Sequence, residues 1–198
     1  MRMMRSIIFL TLTITINVII CDKEPIECEI FVDRGRGLTA CQFAKVNSTG
    51  KDTTAINAKP TNFQGRLIES NQVTAVAIAY SEFDRIPNSI FTTFEGILRI
   101  KIYGGSLKVI GNGDFNLASN MISFEVYNTT IDEITSKAFE GASNLTEITV
   151  EKCEIGVIAS DAFDGLDKLK KIRFVGSKYP NDDFLKNLSS SVTAIVVP

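Results

Sequence analysis

The chain has 198 residues, 44% of them apolar and 22% charged, with a formal net charge of −2. That is long enough for one domain with a substantial core and too apolar for intrinsic disorder. It contains no histidine, which removes the commonest general base and metal ligand, and serine–histidine and cysteine–histidine nucleophile pairs with them.

Residues 1–21, MRMMRSIIFLTLTITINVIIC, place two arginines before an apolar run from Ile7 to Ile20, 14 residues long. This is the layout of a secretory signal peptide; a membrane helix needs about 20 apolar residues. Charge begins abruptly at Asp22, so cleavage is expected near Cys21. No later segment approaches transmembrane length, and the mature chain is expected to be secreted and extracellular, without membrane insertion. Removing Arg2 and Arg5 leaves 19 basic against 23 acidic residues, net −4, which argues against nucleic-acid binding. Four sequons, at Asn47, Asn128, Asn144 and Asn187, fit passage through a secretory pathway and are candidate glycosylation sites.

Residues 22–72 follow no period. CEIFVDRGRGLTAC (28–41) joins two β-prone runs through a Gly-rich turn, with Cys28 and Cys41 thirteen positions apart. The RGRG turn reads as a solvated hairpin turn in which glycine supplies backbone freedom. Beyond it runs a polar, turn-rich tract with Ile56, Phe63, Leu67 and Ile68 as scattered anchors; this is expected to form an irregular first coil.

From Val73 onward the chain repeats every 24 residues, in blocks 73–96, 97–120, 121–144 and 145–168, followed by 169–191 and a partial 192–198. Apolar residues fill the first, fourth, sixth, eleventh, fourteenth and nineteenth places. In the third block these are Met121, Phe124, Val126, Ile131, Ile134 and Phe139. All 24 such places in the first four blocks are apolar, where composition alone would fill about 11. The physical reading is a coil. One turn cannot bury its own apolar face, so successive turns stack to make the core.

The segments LTEITVEKCEI (145–155) and MISFEVYNTTI (121–131), with the trailing SKAFEGASN and SDAFDGLDK, resemble the leucine-rich repeat family in its secreted, roughly 24-residue extracellular class. The resemblance implies an α/β solenoid, predominantly β: a right-handed leucine-rich-repeat coil with a parallel concave sheet. It also implies that Cys28 and Cys41 close a disulfide-bonded N-terminal hairpin cap; two free thiols are the alternative. Where the family carries a ladder asparagine, at the ninth place, this chain has Ser81, Gly105, Thr129, Cys153 and Ser177. All are small, and the hydroxyls can bond the backbone locally, but loss of the amides leads one to expect a less rigid coil. Cys153 is expected to be a buried, unreactive thiol. The fifth block deviates, with Phe184, Leu185 and Leu188 in place of the usual anchors. Many secreted members close this end with a cysteine-rich cap, which this sequence lacks.

The sequence offers no catalytic residues, cofactor or metal site. YGGS and GNGD lack the lysine of a phosphate loop and read as turns, and Asp182 with Asp183 reads as a solvated pair. An extracellular hydrolase is therefore disfavoured. A binding surface is easier to place, because strand residues pointing away from the core line the concave face. These are Ala75, Ala77 and Ala79; Arg99, Lys101 and Tyr103; Ser123, Glu125 and Tyr127; Glu147, Thr149 and Glu151; Lys171, Arg173 and Val175; then Ala194 and Val196. Charge is banded by strand, so Lys101 is expected to reach Glu125, and Glu147 to reach Lys171. Tyrosine and arginine are enriched at interface hot spots, and Arg99, Lys101, Tyr103, Glu125, Tyr127, Glu147, Glu151 and Arg173 are the candidate ligand-binding residues. The resemblance implies an extracellular recognition module for a protein or glycan, innate-immune recognition being a common family role. The alternative is a structural or assembly protein that self-associates as a homodimer through residues 192–198.

Overall fold

A computed structural model describes residues 26–33, 38–47, 56–59, 61–63 and 65–198. The expected signal peptide and the RGRG turn lie outside the described residues. The elements in chain order are β1 (Ile26–Asp33), β2 (Leu38–Ala44), β3 (Ile56–Lys59), β4 (Thr61–Phe63), β5 (Arg66–Ile68), β6 (Ala75–Phe83), β7 (Arg99–Ile110), β8 (Ser123–Tyr127), β9 (Thr130–Ile134), β10 (Glu147–Glu151), β11 (Glu154–Ile158), β12 (Lys171–Val175) and β13 (Thr193–Val197). Helix is confined to a 3-10 turn at Ser70–Gln72 and two short α-segments, Ser89–Thr93 and Asp183–Lys186. The architecture is the predominantly β solenoid that the repeat implied, of about five turns.

One sheet runs β13-β12-β10-β8-β7-β6-β2-β1-β3. Every pair from β6 to β13 is parallel, in the register set by the 24-residue repeat from Val76↔Ile100 to Ile148↔Ile172. On the opposite side of each coil the latter half of β7 pairs with β9, and β9 with β11. The interior lies between the two. All 24 repeat anchors of the first four blocks are buried, with none more than 6% exposed. Down the axis runs a spine of Phe91, Phe115, Phe139, Phe163 and Phe184, with successive ring centroids 6.0, 4.9, 5.6 and 5.7 Å apart. Burying each such ring contributes about 1.5–3 kcal/mol. Phe184 comes three places early in its block, yet it takes the spine position because the Asp183–Lys186 helix replaces the longer loop.

The chain leaves each concave strand through one left-handed residue. The eighth places, Tyr80, Gly104, Asn128, Lys152 and Gly176, have φ of 48°, 70°, 49°, 54° and 57°, and Lys45 repeats the conformation at 58° after β2. The ninth-place side chains then bond the backbone. Ser81 Oγ donates to Ala79 O (2.8 Å) and accepts from Val46 N; Thr129 Oγ1 donates to Tyr127 O (2.9 Å); Ser177 Oγ shares its proton between Val175 O and Val150 O (3.3 Å each) and accepts from Cys153 N (3.1 Å). Coupling between coils thus persists through hydroxyls. At Gly105 the coils touch directly, since a Cβ there would come within 2.0 Å of Ser81 O. Cys153 sits in the same row, free and 2% exposed, its Sγ 3.4 Å from Glu151 O. Burial pushes its thiol pKa up, the inert state expected of it.

The last strand corrects the reading of one face. β13 pairs Lys171↔Thr193, Arg173↔Ile195 and Val175↔Val197. Thr193, Ile195 and Val197 therefore continue the concave row, while Ala194 and Val196 follow the core residues Ile172 and Phe174. The shortened fifth loop shifts the repeat by two residues, to 22, and a 23-residue count inverts the strand's faces.

At the other end β1 and β2 form an antiparallel hairpin closed by a Cys28–Cys41 disulfide, with Cα atoms 5.7 Å apart and both cysteines buried. Such a loop closure stabilises by about 3 kcal/mol. β2 also enters the concave sheet as the parallel neighbour of β6, Ala40 opposite Ala75 and Gln42 opposite Ala77.

Candidate functional site

The strand alternation that buries places four and six turns places three, five and seven outward. All eight candidate residues lie on this concave face, half-buried: Arg99, Lys101 and Tyr103 on β7, Glu125 and Tyr127 on β8, Glu147 and Glu151 on β10, and Arg173 on β12. Cross-strand register aligns Lys101 with Glu125 and Tyr103 with Tyr127, then Tyr127 with Glu151 and Glu147 with Lys171.

The first five converge on a cleft of about 480 Å³ at the N-terminal half of the face; Glu147, Glu151 and Arg173 are not among its lining residues. The cleft exists because β6 presents only alanines. Ala75 and Ala77 form a low floor, and taller neighbours rise on either side. One wall is β7 and β8. The other is the capping hairpin, which contributes Phe31, Leu38 and Gln42. These three were missed in the sequence. The alternation Leu38, Ala40, Gln42 is the signal that extends the concave row, but a 35-residue spacing to Ala75 and Ala77 hides it from a 24-residue period.

The polar side of the cleft is knitted together. Gln42 Nε2 donates to Tyr103 OH at 3.2 Å, linking the hairpin to β7. Tyr127 OH donates to Glu125 Oε2 at 2.9 Å and Ser123 Oγ to Glu125 Oε1 at 3.2 Å. Desolvation, reinforced by the hydrogen bond to Glu125, pushes the Tyr127 phenol up to about 12. Lys101 departs from expectation. Its Nζ lies 4.6 Å from the centre of the Tyr127 ring, a cation–π contact, rather than in an ion pair with Glu125. The expected partner of Glu147 is found, with Lys171 Nζ 3.4 Å away.

Tyr80 stands at the rim, 64% exposed, with its ring edge-on to Tyr103 at 5.5 Å. The missing side chain of Gly104 makes this possible, since a Cβ there would meet the Tyr80 ring at 2.5 Å. Asn128 also lines the cleft and is exposed. Two other sequon asparagines are engaged through Nδ2, Asn144 with Ser119 O and Asn187 with Ser160 O, and Asn47 Nδ2 donates to Glu82. On the opposite side the GNGD turn is structural. Asp114 is buried and takes Arg85 Nε and Gly111 N, each at 2.8 Å, and burial raises its pKa despite both. Among the described residues no group of three or more acidic or sulfur side chains is placed to hold a metal, and no helix is long and apolar enough to cross a membrane.

Parallel strands stacked at a 24-residue interval around a phenylalanine spine, with a concave face open to ligands, define a leucine-rich repeat solenoid. The family model for the BspA type leucine rich repeat region matches residues 62–192 in six copies. The chain belongs to that family, whose repeats suggest a protein-binding module. No curated protein gave a significant match.

Proposed function

We propose that this protein is a secreted, extracellular recognition module that binds a protein partner across the N-terminal half of its concave face. The observation that carries this reading is the cleft between the capping hairpin and β7–β8, apolar on one side and lined by tyrosine, arginine and lysine on the other. Tyrosine and arginine are the side chains enriched at protein-interface hot spots. Secretion is supported by the apolar leader and by a buried disulfide, which persists in oxidising compartments. The sequons fit the same route, and a glycan on Asn128 would stand at the cleft mouth and limit what approaches. An innate-immune role is the form of recognition that the family resemblance suggests.

A second reading is self-association through residues 192–198. It is favoured by β13, whose Val196 and Val197 are 42% and 47% exposed at the edge of the described sheet. One affinity capture from the native fluid tests both. The mature protein is expected to retain a distinct partner, and the double variant Tyr103→Ala/Tyr127→Ala to lose at least about tenfold in affinity for it, since hot-spot truncations reach about 2 kcal/mol or more. Capture of only further copies of itself would favour the second reading, and unchanged binding by the double variant would refute the assignment to this face.

A further inference from the structure

The cleft holds two cations, Arg99 and Lys101, neither of them in an ion pair among the described residues. Arg99 Nε is buried and makes no hydrogen bond. The ion pairs formed on this face involve other side chains. Lys101 rests on the Tyr127 ring. Glu125, across the strand boundary from Lys101, is engaged by the hydroxyls of Ser123 and Tyr127. An unbonded buried donor is destabilising. A guanidinium fork is best satisfied by a planar carboxylate accepting two parallel bonds.

Facing these cations the cleft changes character. Its other side is Phe31, 39% exposed, with Leu38 and the methyl groups of Ala75 and Ala77. A sugar would need donors and acceptors distributed over its contact surface, whereas among the described lining residues this wall offers one polar side chain, Gln42, whose amide already donates to Tyr103. An apolar side chain would fill it.

We propose that the cleft receives an acidic peptide segment: an Asp or Glu carboxylate bonds Arg99 and Lys101, and an adjacent aliphatic or aromatic side chain packs against Phe31 and Leu38. This rests on the concave-face reading and adds to it the chemistry of the partner. Charge complementarity selects the acid, and the apolar wall selects its neighbour.

The test is calorimetric titration of the full mature chain with Ac-Gly-Asp-Phe-Gly-amide, with the same peptide carrying Asn in place of Asp, and with N-acetylneuraminic acid as a non-peptide carboxylate. The protein is used as wild type and as Arg99→Gln, Arg99→Lys and Ala77→Trp, each checked for an unchanged circular dichroism melt. The Asp peptide is expected to bind wild type at least tenfold more tightly than the Asn peptide. Arg99→Gln should reduce that preference to within twofold, Arg99→Lys should restore part of it, and Ala77→Trp, which fills the cleft, should abolish binding of both peptides. Equal affinity for the two peptides in wild type, with Ala77→Trp still blocking both, would overturn the carboxylate inference while leaving the concave-face reading intact. Peptide binding undiminished in Ala77→Trp would overturn the concave-face reading itself. Failure of the Asp peptide to bind wild type at millimolar concentration, or tighter binding of N-acetylneuraminic acid than of the Asp peptide, would also overturn the acidic-peptide inference.

Discussion

Tyr80 and Lys152 occupy the same place in their repeats and the same left-handed conformation, at φ of 48° and 54°. Glycine at 104 and 176 and asparagine at 128 are the residue types that adopt it most readily. A bulky residue there is strained, and Tyr80 recovers only an edge contact with Tyr103 while remaining 64% exposed. Backbone strain clusters at functional sites, and of the two only Tyr80 lies against a side chain of the cleft, Tyr103. Lys152→Gly is therefore expected to raise stability by about 0.5–1 kcal/mol, leaving binding unchanged. Tyr80→Gly, which relieves strain but loses the ring contact, is expected to leave stability within about 1 kcal/mol and to weaken partner binding at least threefold. Urea unfolding and titration of each variant check this; equal effects of the two on binding would remove Tyr80 from the site. The sequence showed Gly104, within YGGS, as a turn residue, but tyrosine and lysine at the eighth place masked the common conformation. Cys153 was legible because the period put it in the small-residue row.

The strands and the spine were legible in the sequence because a parallel stack demands the same volume at the same place in every turn. That demand fixes Phe115, Phe139 and Phe163 at intervals of 24 residues. Phe139 touches the rings of Phe115, Phe124 and Phe163 at centroid distances of 4.9, 5.3 and 5.6 Å and is 1% exposed. Phe139→Ala is expected to destabilise by about 3–5 kcal/mol, whereas Leu117→Ala, at a side chain 59% exposed, should change stability by less than about 0.5 kcal/mol. Denaturant unfolding of the two compares them directly, and a loss under about 1 kcal/mol at Phe139 would mean that the spine does not carry the stack. The elements that escaped the sequence are those where the period breaks. β2 joins the sheet at a 35-residue offset, so Leu38 and Gln42 gave no repeat signal. β13 returns after 22 residues, which inverted Ala194 and Val196. Ninth-place hydroxyls bonding across coils replaced the amide ladder by chemistry that position alone did not reveal.

At the scale of the molecule, the solenoid offers two long surfaces of different character. The concave sheet carries the alanine floor, the tyrosines and Arg99 with its unbonded Nε, and it is where the capping hairpin adds a wall. The convex side carries the second run of strands, with Leu117 and Val157 exposed singly at 59% and 52%; isolated apolar residues of this kind are ordinary surface. Strand alternation placed all eight candidate residues on the concave face, and five of them line the cleft. The cleft itself was not foreseen, because it is made by what β6 lacks and by a hairpin outside the period. The N-terminal half of the concave face is the proposed binding surface. Hydroxyl-radical footprinting of the mature protein, alone and with its captured partner, tests this most directly. Phe31, Tyr80, Tyr103 and Tyr127 are expected to become protected on binding, with Leu117 and Val157 oxidised as before. Protection of Leu117 and Val157 with the three tyrosines still fully reactive would contradict it.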